Sequence, residues 1–400
     1  MRIINSILDT DLYTFSLCNM YLQKFPRAEA QYSFIDRNKT QYPTGFAQLV
    51  EDQIKQMEEI SLTDSEEKFL SDTCYYYPKW FITFLKGYRF NSSEVQVEQD
   101  EEGHLSIKIT GPIWRTVFWE QPILAIVSEL WHWSKGETFN YDSEREYQKS
   151  YNKARYLIES GVTFSEFGTR RRFSYAHQDL VIKSFVQAKE DSGYFSPGTL
   201  SGTSNVHFAH RYGLTPIGTM AHQYISMIGA LYGPVEANNI AMNLWEDVYG
   251  GSLGIYLYDT YTREVFLNNF SEKNAKLFDG LRVDSGDNFL AFWSIYGKYE
   301  KLKIDPKGKA IIFSNALDVK GAVDLHNKIG NQMKDSYGIG THFTCDIDGV
   351  KPANMVIKLT QVRITEKREW LNCIKLSDDF GKYTGDEETV KLYKQILNLA

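Results

Sequence analysis

The sequence predicts an α/β protein built on a parallel sheet, open or closed into a barrel, preceded by a lobe of mixed α and β structure. Three observations carry this. From about residue 163 onward, short apolar runs alternate with helical stretches, the pattern of successive βα units. Arginine, histidine, aspartate and glycine-rich segments fall just after those runs, at the strand ends where α/β sheets and barrels bind ligands. The 400 residues exceed one ordinary domain and suit two, or one large barrel with an appended lobe.

Along the chain, Asp9-Thr10-Asp11-Leu12-Tyr13 reads as an N-cap and the start of a helix. Residues 94–109 alternate around a turn at Glu101-Glu102-Gly103, as a hairpin does. Ser143 and Glu146 have capping-box spacing, and an amphipathic helix is expected from there to about Glu159. Strands are then expected at 163–167, 215–217, 255–258, 281–283, 310–313 and 355–359. A doubly wound sheet and a closed barrel give this same pattern, so periodicity leaves both open.

Hydrophobic residues make up 42% and charged residues 24%, enough apolar surface for a sizeable core. The 26 tyrosines, 24 phenylalanines and 8 tryptophans suit planar ligands, although most such rings serve as core. A net charge of −7 argues against a general nucleic-acid or anionic-membrane binder, so phosphate handling would need locally clustered cations. Cys18, Cys74, Cys345 and Cys373 form no CxxC pair, which fits a reducing compartment and offers no zinc framework. Asp9 and Asp11 interrupt the first apolar stretch, which makes a poor signal peptide. The most apolar run, 122–127, is stopped by Ser128 and Glu129, far short of the ~18 residues of a membrane span. A cytoplasmic protein is expected.

Six segments carry the candidate chemistry. Phe167-Gly168-Thr169-Arg170-Arg171-Arg172 puts three arginines at a strand end, where at least one guanidinium reaches the sheet edge and can grip phosphate or carboxylate; a solvated basic loop reads the same. Gly218-Thr219-Met220-Ala221-His222 offers small residues for close backbone approach, with His222 facing the ligand or serving the core. Upstream, Gly202-Thr203-Ser204-Asn205 reads as a loop capping a helix. Gly280-Leu281-Arg282-Val283-Asp284-Ser285-Gly286-Asp287 is the most specific: strand alternation points Arg282 and Asp284 to one side, before a turn into a helix. Such a junction suits a sugar phosphate, or an internal ion pair with a helix cap. Ser314-Asn315-Ala316-Leu317-Asp318 repeats the strand-to-helix turn, and Gly338-Ile339-Gly340-Thr341 supplies a glycine-rich loop.

Asp9-Thr10-Asp11-Leu12-Tyr13, the segments at 167–172, 218–222, 280–287, 314–318 and 338–341, and Lys375-Leu376-Ser377-Asp378-Asp379 resemble, in order and over most of the chain, the nicotinate phosphoribosyltransferases. The resemblance implies an irregular, TIM-like α/β barrel with a smaller α/β lobe built from both chain ends. It divides the chain into an N-terminal lobe (1–125), a catalytic barrel (126–350) and a returning C-terminal segment (351–400). It implies a homodimer with shared active sites. The implied reaction takes nicotinate, 5-phosphoribosyl 1-pyrophosphate and ATP to nicotinate mononucleotide, pyrophosphate, ADP and phosphate. Mg²⁺ is carried by the substrates, its protein ligands are unassigned, and no tightly bound prosthetic group is expected.

Residue by residue, the resemblance makes His222 the histidine that ATP phosphorylates transiently. Phe167 becomes one wall of an aromatic sandwich around the pyridine ring, and Tyr13, reaching in from the partner subunit, the other. Arg282 and Thr219 stand near the substrate carboxylate, Arg170 near phosphate, and Asp284 near the ring or ribose. Asn315, Gly340 and Thr341 hold the phosphoribosyl end. The related nicotinamide enzymes place an aspartate where this chain has Ser204; its absence, with Arg282 present, favours the acid over the amide. Competing readings are a nicotinamide phosphoribosyltransferase, a barrel enzyme acting on another sugar phosphate, and a non-catalytic nucleotide-sensing relative.

Overall fold

The computed structural model describes residues 2–379 and 383–399. Early and late strands together form one five-stranded antiparallel sheet: β1 (Glu29–Asp36), β2 (Val95–Gln99), β3 (Leu105–Pro112), and, after the barrel, β11 (Met355–Arg363) and β12 (Leu371–Asn372). Its order is β12-β11-β1-β3-β2, so β1 pairs with β3 on one edge and with β11 on the other. The expected hairpin is β2–β3, closed where Asp100 accepts the His104 amide at 2.8 Å. Along β3, Leu105, Ile107 and Ile109 are buried while Ser106, Lys108 and Thr110 face outward, the alternation of a sheet with one wet face.

Between those strands, seven parallel strands form a curled sheet: β4 (Thr163–Glu166), β5 (Thr199–Thr203), β6 (Thr215–Pro216), β7 (Ile255–Leu257), β8 (Gly280–Val283), β9 (Ala310–Phe313) and β10 (Lys334–Ile339). The order β6-β5-β4-β10-β9-β8-β7 runs around an irregular barrel in chain sequence, closed by β10 on β4 and left unpaired between β6 and β7. Thr219, just past β6, spans that seam by donating its hydroxyl to the Ile255 carbonyl at 2.7 Å.

Three local expectations are corrected. The helix Ser143–Glu159 is capped by Asp142, whose carboxylate accepts the Arg145 amide at 3.1 Å, one residue ahead of the expected Ser143 box. Residues 338–339 belong to β10 and not to a loop. The strand at 355–359 lies in the antiparallel sheet, because Met355 to Leu359 pair with Asp36 to Tyr32.

The N-terminal segment lies across the barrel mouth. The Leu12 amide donates to the Ser204 carbonyl at 2.8 Å, and the Val206 amide to the Thr10 carbonyl at 3.0 Å. Arg172 clamps this segment with a bidentate pair to Asp9, at 2.8 and 2.9 Å, both side chains fully buried. Burial works against the charged form of Asp9, but Arg172 outweighs it and keeps the carboxyl below its usual range. Among the described residues, no helix is long and apolar enough to cross a membrane.

Candidate active site

A cleft of about 580 Å³ opens at the C-terminal ends of the barrel strands, roofed by the N-terminal segment and by Lys358 and Lys375 from the antiparallel lobe. A smaller chamber of about 50 Å³ adjoins it, lined by His222, Gln223 and Glu120. Arg170, Arg282, Asp284, Lys358 and Lys375 line both.

Phe167 follows β4 directly. Its ring lies over Gly338 of β10, where a methyl group would come within 2.5 Å of two ring carbons. At Gly340 a methyl would come within 2.8 Å of the Phe167 carbonyl oxygen, so both glycines are required by packing against this residue. Gly340 and Thr341 line the cleft beside it.

The arginine run divides its labour, because the turn at Thr169–Arg171 sends successive side chains different ways. Arg172 is the buried clamp on Asp9. Arg171 donates twice to the Met355 carbonyl at 3.1 Å, tying the barrel to β11. Arg170 also lines the cleft, donating to the Tyr13 hydroxyl at 3.0 Å with its guanidinium 5.7 Å from the centre of that ring. Gln121 also donates to the Tyr13 hydroxyl, and Glu120 stands 3.8 Å from Arg170.

Tyr13 therefore completes the cleft of its own chain. The expectation that it reaches in from a partner is corrected: the bonds of Thr10 and Leu12 to the strand end at 204–206 fold the N-terminal segment back onto the same barrel.

Arg282 on β8 and Asp284 just past its end meet on one side, as alternation predicts. Arg282 donates to Asp284 at 3.2 Å and to the Ser314 hydroxyl at 2.9 Å, with its guanidinium 6.0 Å from the centre of the Phe167 ring. Burial opposes the Asp284 charge, but Arg282, His222 and Lys375 hold the carboxyl well below its usual range. Asn315 reaches the cleft, though its amide is engaged in donating to the Gly286 carbonyl at 2.8 Å. Next to it Ala316 adopts φ +48°, a left-handed conformation that costs a non-glycine residue energy and clusters at functional sites.

His222 opens the helix His222–Tyr232 and is almost fully buried. Its Nδ1 shares a 3.0 Å hydrogen bond with the Thr260 hydroxyl. Its Nε2 lies 3.0 Å from Lys375 Nζ and 3.2 Å from Asp284. Burial first, and then the Lys375 charge, lower its pKa to about 4 against the pull of Asp259 and Asp284, so the imidazole is neutral at pH 7. Lys375 only donates and Asp284 only accepts, so Nε2 bonds Lys375 in the tautomer with its proton on Nδ1 and Asp284 in the tautomer with its proton on Nε2; the first makes Nε2 the electron-rich atom.

Of the expected residues, Tyr13, Phe167, Arg170, Arg282, Asp284, Asn315, Gly340 and Thr341 line the main cleft, and His222 the chamber behind it. Thr219 lines neither, its hydroxyl being committed to the seam. Sequence reasoning missed Thr260, Glu120 and Lys358, and gave Lys375 no role although it lay in a matched segment. Lys358 is pushed down to about 7, first by burial and then by Lys375. It also missed Asp11, whose carboxylate accepts the Ser204 hydroxyl at 2.7 Å. Among the described residues no three His, Cys, Asp or Glu side chains cluster as metal ligands. Of the cleft carboxylates Asp11, Asp284, Asp346 and Asp379, one or two would suffice for an ion that arrives on phosphate oxygens.

The family model described as the nicotinate phosphoribosyltransferase (NAPRTase) family matches residues 162–400, and its N-terminal domain model matches residues 8–128. The nicotinate phosphoribosyltransferase of Desulforapulum autotrophicum is 42% identical over 385 residues, 96% of each chain. That of Chromohalobacter salexigens is 39% identical over 397 residues, 99% of each. Among solved structures, the nicotinate phosphoribosyltransferase of Porphyromonas gingivalis superposes with a TM-score of 0.94 at 42% identity, covering 99% of this chain and 100% of that one. A putative nicotinate phosphoribosyltransferase of Saccharomyces cerevisiae gives 0.92 at 29% identity, covering 100% and 99%.

Proposed function

The chain belongs to the nicotinate phosphoribosyltransferase family, whose reaction serves NAD biosynthesis, and from that membership we propose that it couples nicotinate mononucleotide synthesis to ATP through a transient phosphoryl group on His222. The donor is 5-phosphoribosyl 1-pyrophosphate. The pyridine nitrogen attacks the anomeric carbon; the N–C bond forms as the C–O bond breaks, and pyrophosphate leaves with the bonding pair. That nitrogen carries no proton, so no general base is needed. Catalysis rests on positioning and on stabilising separating charge.

In this reading Phe167 and Tyr13 enclose the ring and Arg282 receives its carboxylate. Arg170 serves phosphate, Asp284 faces the ring or ribose, and Asn315, Gly340 and Thr341 hold the phosphoribosyl end. Mg²⁺ enters bound to pyrophosphate and to ATP, where it offsets their charge. Since Tyr13 lies in its own chain's cleft, the homodimer we also propose concerns assembly alone.

One observation carries the coupling: a buried, neutral histidine whose Nε2 faces Lys375, beside a cleft lined by Arg170 and Arg282. A neutral imidazole can attack the terminal phosphorus of ATP, forming a P–N bond as ADP leaves; water later cleaves that bond and releases phosphate. The phosphoryl group adds roughly two negative charges beside those arginines. The charges change how tightly substrates and products are held. His222→Asn keeps much of the shape and removes the nucleophile. It should retain weak, ATP-independent synthesis and lose both ATP hydrolysis and stimulation by ATP. ATP hydrolysis in step with product by this variant would show that another group is phosphorylated.

A further inference from the structure

Asp11 precedes the helix Leu12–Lys24 without capping it, since its side chain bonds no helix amide. The carboxylate turns instead into the cleft, accepts the Ser204 hydroxyl at 2.7 Å, and is only 6% exposed. Its backbone is pinned from both sides, by the bridge from Asp11 to Asn205 and by the bonds of Leu12 and Thr10 to residues 204 and 206. A carboxylate anchored in this way cannot swing into bulk water.

The nicotinate carboxylate shares this cleft. Two cations attract it, Arg170 beside Tyr13 and Arg282 over Phe167. Arg170 lies with Asp11 and Tyr13 at the N-terminal segment and is partly offset by Glu120; burial raises the Asp11 carboxyl above its usual range, while Arg170 and the Ser204 hydroxyl pull it back toward the charged form. Arg282 belongs to the barrel floor, where Lys375 joins its pair with Asp284, so that two cations face one carboxylate on that side. Like charges repel strongly where water is scarce, so the wall carrying Asp11 disfavours the substrate acid.

We propose that Asp11 is an orienting residue: its fixed charge excludes the nicotinate carboxylate from the Ser204 side of the cleft, so that the acid lies against Arg282 and the ring nitrogen faces the ribosyl donor. This rests on nicotinate being the substrate. It assigns the N-terminal segment a part in specificity beyond the aromatic wall of Tyr13.

Asp11→Asn tests it cleanly. The amide is the same size and keeps an oxygen for the Ser204 hydroxyl, so only the charge is lost. With nicotinate, KM should fall about tenfold, because the anion binds more freely. kcat should fall by at least as much, because a share of the bound rings now faces the wrong way. Ser204→Ala, which frees the carboxylate without removing it, should move both constants in the same directions by less. Inhibition by neutral nicotinamide, measured on wild type and on Asp11→Asn, should change by no more than about twofold, since a neutral ring does not feel the lost charge. The proposal is overturned if Asp11→Asn raises KM or leaves KM and kcat unchanged, or if nicotinamide inhibition shifts as far as nicotinate binding does. A wild-type protein that turns over no nicotinate would fail the underlying reading instead, before any variant is compared.

Discussion

Gly338 gives its side-chain space to Phe167, and the ring fills it. A methyl at 338 would push the ring toward the cleft, since the backbone beneath is held in the β10–β4 pairing. Overpacking of this kind typically costs ~1–3 kcal/mol. Gly338→Ala should therefore raise the KM for nicotinate by roughly tenfold while kcat changes less, as expected when ground-state binding is lost. Steady-state kinetics at saturating phosphoribosyl donor would show it; an unchanged KM would mean that the ring does not stack on the substrate. At this scale the sequence was legible where chemistry sits beside its strand, as with Arg282, Asp284 and Phe167. It was not legible where partners meet only through folding. Lys375 and Thr260 lie 153 and 38 residues from His222, and no spacing rule connects them. Nor could three adjacent arginines be told apart before the turn at 169–171 had sent them in separate directions.

Among the elements, β4, β6, β7, β8 and β9 fall where strands were expected, and β7 and β9 are wholly apolar apart from the Tyr256 hydroxyl. β5 and β10 escaped because Thr-Leu-Ser-Gly-Thr and Lys-Asp-Ser-Tyr-Gly-Ile read as polar loops. Their glycines follow from close approach: at Gly202 a methyl would meet the Thr215 carbonyl oxygen at 2.0 Å. β11 was read as a strand but given to the parallel series, since a strand's own residues do not name its partner. The seam between β6 and β7 makes one further distinction measurable. Thr219→Val keeps the shape and removes the hydroxyl that bonds Ile255, which should cost about 1 kcal/mol. Denaturant titration should show the lower midpoint, with the KM for nicotinate unchanged. A large rise in KM with unaltered stability would return Thr219 to the substrate and make the seam bond incidental.

In the whole molecule, the two lobes are interleaved, and the cleft draws on Asp11 and Tyr13 from one end and Lys358 and Lys375 from the other. Because each chain supplies its own Tyr13 and its own Arg282, mixing Tyr13→Ala and Arg282→Ala subunits should restore no activity: every cleft carries one lesion or the other. Recovery after demonstrated subunit exchange would show that the N-terminal segment trades places between chains. The interleaving also sets a timetable for biosynthesis. Glu29 on β1 binds Arg363 on β11, 334 residues later. At about 5–20 residues per second, a ribosome needs tens of seconds to make that partner. Throughout that interval one edge of β1 offers unpaired amides and carbonyls to any passing strand. The yield of native protein is therefore decided during translation, by whatever shields that edge, before His222 and Lys375 have met.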